Sequence, residues 1–487
     1  MTRQLSQNYW PNFVAGTFRH GGAGKFGVRD PSNGNTLAEQ ALADAVDINH
    51  AVSEARRVYE TGALTNLHPG ERGAMLRKVG QFLEDNFDAV RETITLEQGK
   101  PLFEASKEVR FAVAIFDYFG SMAQSLEGRS VPGDASRFDF TVYEPFGVSA
   151  QIMPAHYPVY ILSRTLAVAL AAGNSCVMKT SELAPISATW LARAVESAGF
   201  PAGAVSIFCA DREAGAALAS HSDINHLVFV GTKEAAAAVL ANAANNYLPN
   251  IVEVGGTSPT LFFEDGSIDA FLPEARLGLY LNAGQFCCAM YRVIVHESRY
   301  EEVVGRSVEL AESLKVGPGI ESDGEDFQPY MGPLHTERQL QKVLGLVNDA
   351  TNGGARCVSG GERILREGPF MRPTVLRDVD PCLRIAQEEV FGPVMSVIKF
   401  RTEEEAIRIA NGARHSGLVC NVFTQDLARM MRVARQVRAG HVIWNSSTVG
   451  GPDVPFGGFG RSGHGSLKGR EALLGYAQRK NILLQVS

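Results

Sequence analysis

The chain is predicted to be an α/β protein of two domains, each built on a doubly wound, largely parallel sheet. Three observations predict this. Between residues 148 and 245, short apolar strands alternate with helical stretches. That alternation implies parallel strands with helices packed on the sheet faces. A similar alternation returns after residue 290. Finally, 487 residues are too many for one compact core.

Residues 44–60 and 70–98 carry helical periodicity, with Met75, Val79, Phe82 and Leu83 on one stripe and charges between them. Residues 111–126 continue helical. Residues 138–143 read F-D-F-T-V-Y, the alternation of a strand. Strands then follow at 148–153, 175–179, 205–208 and 227–230, with helices at 161–172, 185–197 and 234–245 between or after them. The second series has strands near 293–295, 394–400 and 419–424. The two domains are expected to meet near Glu253. Residues 482–486, I-L-L-Q-V, form a short apolar strand candidate that suits completion of a sheet across a subunit interface. Two matches to G-x-G-x-x-G occur, at 22–27 and 458–463. Neither follows a strand and opens a helix, as a dinucleotide fingerprint requires, so both read as turns.

Composition narrows the function. Apolar content of 45% and charged content of 20% are ordinary for a globular protein. A net charge of −7 gives no reason to expect nucleic acid or an anionic membrane as partner. No apolar run has the length of a membrane span, and the first residues lack the apolar core of a signal peptide. The seven cysteines are odd in number and include no C-x-x-C. This argues against a disulfide framework or a zinc site, and no metal is expected. A reducing, cytoplasmic compartment is the expectation.

Residues 281–292 read L-N-A-G-Q-F-C-C-A-M-Y-R. Small residues flank Cys287, so a reacting group could approach the thiol closely. A Cys-Cys pair in an apolar run also suits plain core packing. The stretch alone leaves both readings open.

Other segments align with it in order. Pro145-Phe146-Gly147-Val148 leads into Ile152-Met153-Pro154-Ala155-His156-Tyr157-Pro158. Leu170-Ala171-Ala172-Gly173-Asn174 and Val177-Met178-Lys179-Thr180-Ser181-Glu182 follow. Then come Phe229-Val230-Gly231-Thr232, Glu253-Val254-Gly255-Gly256 and Gly284-Gln285-Phe286-Cys287. Glu388-Glu389-Val390-Phe391-Gly392-Pro393-Val394 and Pro455-Phe456-Gly457-Gly458 complete the set. In this order and spacing the chain resembles the NAD(P)-dependent aldehyde dehydrogenase superfamily, over nearly its whole length.

The resemblance implies a Rossmann-like cofactor domain (1–123 and 145–252), an α/β catalytic domain (253–445) and a small β-flap for oligomerisation (124–144 and 465–487). It implies a homodimer or homotetramer acting on a small-molecule aldehyde. Cys287 would be the nucleophile, with Cys288 a passive neighbour, and Glu253 the general base. Lys179 and Glu182 would hold the adenosine ribose. A carboxylate there accepts from the 2′-hydroxyl and repels a 2′-phosphate, so NAD is expected, with NADP as the alternative. Gly231 and Thr232 would meet the pyrophosphate at a helix start. Glu389 and Phe391 would hold the nicotinamide ribose and ring.

The chain also departs from the family pattern. Ala155-His156 stands where Trp-Asn is expected, so His156 takes the place of an oxyanion donor and brings the prospect of a new pH dependence. Thr165 and Thr257 stand where lysines are common. Arg164 lies where members acting on acidic semialdehydes often carry arginine, and could clamp a substrate carboxylate. A helix-surface role fits it equally. Leu281 is apolar where succinate-semialdehyde enzymes often have a second arginine. Tyr157, Tyr160, Phe286 and Phe456 could instead line an apolar channel for an aromatic or aliphatic aldehyde. Three expectations therefore stand together: a hydrolytic aldehyde dehydrogenase, a CoA-acylating one, and a weakly active or retired nucleotide-binding scaffold. Retention of Glu253 disfavours the second.

Overall fold

The computed structural model describes residues 5–322, 330–413 and 417–485. Two large sheets dominate. The first runs, edge to edge, through Gly463–His464, Asn250–Val254, His226–Gly231, Val148–Ile152, Ser175–Thr180, Val205–Cys209, Asn12–Val14 and Thr17–Arg19. Its five central strands are parallel, and the outer three are antiparallel to their neighbours. Val148–Ile152, Ser175–Thr180 and Val205–Cys209 are buried at every position. That is why they read as continuous apolar runs rather than as alternating ones. Hydrophobic clusters cover both faces of this sheet.

The second sheet runs Arg356–Ser359, Thr374–Arg377, Val394–Phe400, Arg292–His296, Pro259–Phe262, Val419–Phe423 and His441–Trp444. All its pairings are parallel except that of the Arg356–Ser359 edge. The chain leaves the first sheet at Val254 and enters the second at Pro259. Glu253 therefore lies at the end of the strand beside this crossing.

The long helical stretch at 70–98 is two helices, Pro69–Asp85 and Phe87–Gln98. Asn86 breaks it, with φ −110° and ψ 21°, and its side chain donates to Phe82 O at 2.8 Å. Asparagine competes in this way with backbone hydrogen bonding. Gly99, at φ 83°, ends the second helix, in the left-handed conformation that glycine adopts freely. The following helix is Leu102–Met122, starting earlier than the expected 111. Its first turns carry the buried Glu104 and Glu108, and buried charge hides a helix from an apolar pattern.

A separate three-stranded sheet pairs Ala477–Gln485 with Arg137–Pro145 and then Ser130–Val131. The C-terminal strand is thus longer than its apolar end suggests. Val486 lies outside the described residues. Within 465–476 the chain instead forms the helix Gly469–Gly475, which packs on Pro158–Ala172. The first G-x-G-x-x-G match begins as a turn and runs into the strand Lys25–Arg29. The second places Gly463 opposite Glu253 in the strand register. At φ 108° a side chain there would collide with Val252 O, so this glycine permits close approach to the strand carrying Glu253.

Candidate active site

Cys287 sits on an irregular loop at the end of the short 3-10 turn Leu281–Gly284. Asn282 and Ala283 hold φ of 48° and 51°, a conformation non-glycine residues rarely adopt. Buried partners hold the loop in place. Glu104 Oε2 accepts from Asn282 N at 2.6 Å, and Tyr291 OH donates to Gly284 O at 2.5 Å. Gln285 Oε1 accepts from His335 N at 2.8 Å, while its Nε2 donates to Asn282 O at 2.9 Å. Arg292 is fully buried and donates to Thr257 O, Ile409 O and Ala410 O. It secures the surrounding backbone rather than the thiol.

The Cys287 thiol donates to Glu253 Oε1 at 3.6 Å, within reach for a sulfur donor. The neighbouring Cys288, burial and the charge of Glu253 push the thiol well above its ordinary range, and Arg164 opposes them. Attack by this sulfur needs a proton acceptor, and Glu253 is placed to be one.

Glu253 is 2% exposed, and its second oxygen accepts from Arg164 Nη2 at 2.7 Å. This corrects the helix-surface expectation for Arg164, which is buried, with its guanidinium paired to a buried carboxylate. It also lies over the rings of Tyr160 and Phe456, at 5.6 and 5.2 Å from their centroids. Thr165 Oγ1 bonds back to Ile161 O and Leu162 O in its own helix. Thr257 Oγ1 is buried and unpartnered among the described residues.

His156 lies ahead of Tyr157, which caps the helix Pro158–Ala172 in the left-handed region at φ 50°. Glu108 accepts from Val159 N and Tyr160 N in the first turn of that helix, and Lys100 joins Glu108 at 2.6 Å. Lys100 also lies 3.8 Å from the Tyr157 ring centroid. His156 Nε2 is buried and has no hydrogen-bond partner among the described residues. Burial, with Lys100 and Arg164 nearby, pushes His156 down to about 3. Burial thus favours the neutral ring. One nitrogen of a neutral imidazole still donates.

Two cavities meet at these residues. One, of about 330 Å³, is lined by Gly231, Thr232, Glu253, Glu389 and Phe391 together with His156 and Cys287. The other, of about 240 Å³, is lined by Tyr157, Tyr160, Arg164, Phe286 and Phe456, again with His156 and Cys287. A third, of about 190 Å³, holds Lys179 and Glu182 and shares Ile152, Phe229 and Ala235 with the first. Together, the first and third run along the C-terminal ends of parallel strands, where open α/β sheets bind ligands.

Along that edge, Lys179 pairs with Glu182 at 3.0 Å. Thr232 caps the helix Lys233–Ala244 through its side chain. Glu389 is pushed up to about 7 by burial. Phe391, at φ 54°, meets His156 edge-on at 5.3 Å. The candidate residues from the sequence thus all line one connected system. Reading the sequence missed Glu104, Lys100, Glu108 and His335, which support the loop and helix, and Lys468, which lines the 240 Å³ cavity. Buried charges within apolar stretches were the available signal for them.

Comparison with known proteins identifies the family. The family model for the aldehyde dehydrogenase family matches residues 18–482. An aldehyde dehydrogenase of Emericella nidulans is 35% identical over 473 residues, covering 96% of this chain and 94% of the relative. Human retinal dehydrogenase 2 is 34% identical, covering 100% of this chain and 93% of the relative. The NAD+ complex of aldehyde dehydrogenase from Bacillus cereus superposes with a TM-score of 0.95 at 32% identity, covering 98% of this chain and 97% of that one. Among the described residues no helix is long and apolar enough to cross a membrane, and no metal-binding cluster occurs. With a thiol, a carboxylate and a strand-end cleft arranged as above, and a match along nearly its whole length, the chain belongs to the aldehyde dehydrogenase family.

Proposed function

We propose that this protein oxidises an aldehyde to a carboxylic acid with NAD, through a thioester on Cys287 that Glu253 helps water to hydrolyse. The observation that carries this is the junction. Cys287 and His156 line both cavities, and Glu253 lies 3.6 Å from the thiol. Glu253 takes the thiol proton, and the thiolate forms a bond to the carbonyl carbon. The carbonyl π pair moves to oxygen, toward the N–H of neutral His156. Bound NAD supplies the hydride acceptor. Loss of hydride from the thiohemiacetal carbon leaves the thioester. Glu253 releases the thiol proton to solvent and, ionised again, takes a proton from water; hydroxide adds to the thioester, and the Cys287 thiolate leaves. A base beside the sulfur favours water over CoA as the acyl acceptor.

The strand-end cavities fit NAD. Lys179 and Glu182 would hold the adenosine ribose, Gly231 and Thr232 the pyrophosphate, and Glu389 and Phe391 the nicotinamide end. The Glu182 carboxylate disfavours a 2′-phosphate, which supports NAD over NADP. The 240 Å³ cavity supports an apolar, aromatic or aliphatic aldehyde over an acidic semialdehyde. Its lining includes Phe111, Tyr157, Tyr160, Phe286 and Phe456, and Arg164 is already paired with Glu253. For assembly, residues 130–145 and 477–485 offer a sheet with Phe138, Leu483 and Leu484 exposed, which suits self-association.

The test is NADH formation from NAD with aromatic, aliphatic and carboxylated aldehydes, beside Cys287→Ala. Turnover with apolar aldehydes is expected, with loss on the order of 10⁵-fold in the variant. No turnover of any aldehyde, with NAD still bound, would overturn the reading in favour of a retired scaffold. A best substrate bearing a carboxylate would overturn the assignment of Arg164.

A further inference from the structure

Lys468 is fully buried and lines the aldehyde cavity. Its ammonium donates to three consecutive carbonyls, Val449 O at 3.1 Å, Gly450 O at 3.2 Å and Gly451 O at 3.0 Å. An ammonium has three N–H donors, so these contacts use all of them. The carbonyls belong to segment 447–452, every residue of which lines the same cavity. The segment has no regular secondary structure to set its path. Gly450 turns it, with φ of 74°.

Side chains hold the segment at its start and middle, where Ser446 Oγ also accepts from Thr448 N at 3.1 Å, and Gly469 N donates to Pro452 O at its end. At its start, Glu274 Oε2 accepts from Ser447 N at 2.5 Å and Ser447 Oγ at 2.7 Å. Along its middle, Lys468 gathers the three carbonyls. Three convergent carbonyl dipoles repel one another unless a cation lies among them. The same ammonium lies 5.4 Å from the Phe456 ring centroid, the ring that Arg164 also covers. The wall and the carboxylate pair therefore share one aromatic support.

We propose that Lys468 is a specificity-determining positioning residue, an internal cation that holds segment 447–452 as a wall of the aldehyde cavity. The proposal rests on the reading that this cavity receives the aldehyde. A ring-bearing aldehyde packs against the wall, whereas a short one does not need it. Loss of the cation therefore falls on the ring-bearing substrate, through KM.

The experiment compares wild type with Lys468→Met, using benzaldehyde and propanal, and measures amide hydrogen exchange over 448–454. The ratio of kcat/KM for benzaldehyde to that for propanal is expected to fall tenfold or more. Exchange in 448–454 is expected to quicken. In Lys468→Ala, propylammonium should restore slow exchange and propanol should not. That rescue is measured without aldehyde, which would condense with the amine. A ratio within twofold of wild type, with unchanged exchange, would overturn the proposal. So would rescue by propanol equal to that by propylammonium. If wild type oxidises neither aldehyde, the dehydrogenase reading fails, and exchange with its rescue still decides the role of Lys468. If Lys468→Met does not fold, Lys468→Ala refolded with propylammonium gives the same decision.

Discussion

The two cavities that meet at Cys287 are built in different ways. The cofactor side also gathers stretches far apart in the chain, but its strand ends supply residues close in sequence, such as Lys179 with Glu182 and Gly231 with Thr232. The aldehyde side is assembled from five distant stretches, around residues 107–115, 156–164, 277–288, 447–456 and 468. Two of its cations, Arg164 and Lys468, are bound by the protein's own carboxylate and carbonyls. A strand end presents its ligands through a fixed backbone, so a short local sequence suffices. A side-chain cavity needs internal partners to keep its shape, and those partners come from anywhere in the chain.

Breaking the Arg164–Glu253 pair tests this contrast most severely. Glu253→Gln is expected to lower turnover by about 10²–10⁴-fold, as removal of a general base does. It also leaves Arg164 buried without its counter-charge. Loss of one partner of a buried pair costs about 3–5 kcal/mol, so a lower denaturation midpoint should accompany the kinetic loss. Arg164→Leu should destabilise similarly, whereas a free substrate clamp would alter only KM.

His156 belongs to both cavities. His156→Phe removes the ring N–H and is expected to cost on the order of 10²–10³-fold in kcat, while His156→Asn restores a donor. Because burial holds His156 at about 3, its protonated form is populated only well below pH 5. The pH–rate profiles of wild type and His156→Asn should therefore have the same shape between pH 5 and 9. A step near pH 6.5 present only in wild type would show that the ring titrates.

The smallest effect is expected on the cofactor side. Glu182→Gln removes one half-exposed charge and should raise the preference for NADP relative to NAD about tenfold, or about 1.4 kcal/mol. Aldehyde selectivity measured at saturating cofactor should not change. A change in both would mean the two cavities are coupled beyond their shared junction.

Much of the architecture was legible in the residue order. The strands at 148–152, 175–180 and 226–231 announce themselves as short apolar runs with turn residues between them, because a parallel strand is buried on both faces. Cys287, Glu253, Glu389 and Phe391 were legible as ordered short segments. The helix break at Asn86 and the early start at Leu102 were not. One depends on a single side chain competing with the backbone, the other on charges that are buried only because Lys100, Asn282 and Val159 come to meet them.

The residues for the chemistry were identified through the resemblance of ordered segments to a known family; local order, by itself, specified the α/β class and the crossing of the chain near Glu253. These follow from periodicity and composition, which record how each segment meets water. Tertiary structure alone decided which charge answers which. Arg164 meets Glu253 across 89 residues of chain, and Lys468 meets a segment 17 to 19 residues before it. Such pairings depend on sheet register and on helix packing around a shared cavity, and a buried charge is stable only once that packing has supplied its partner.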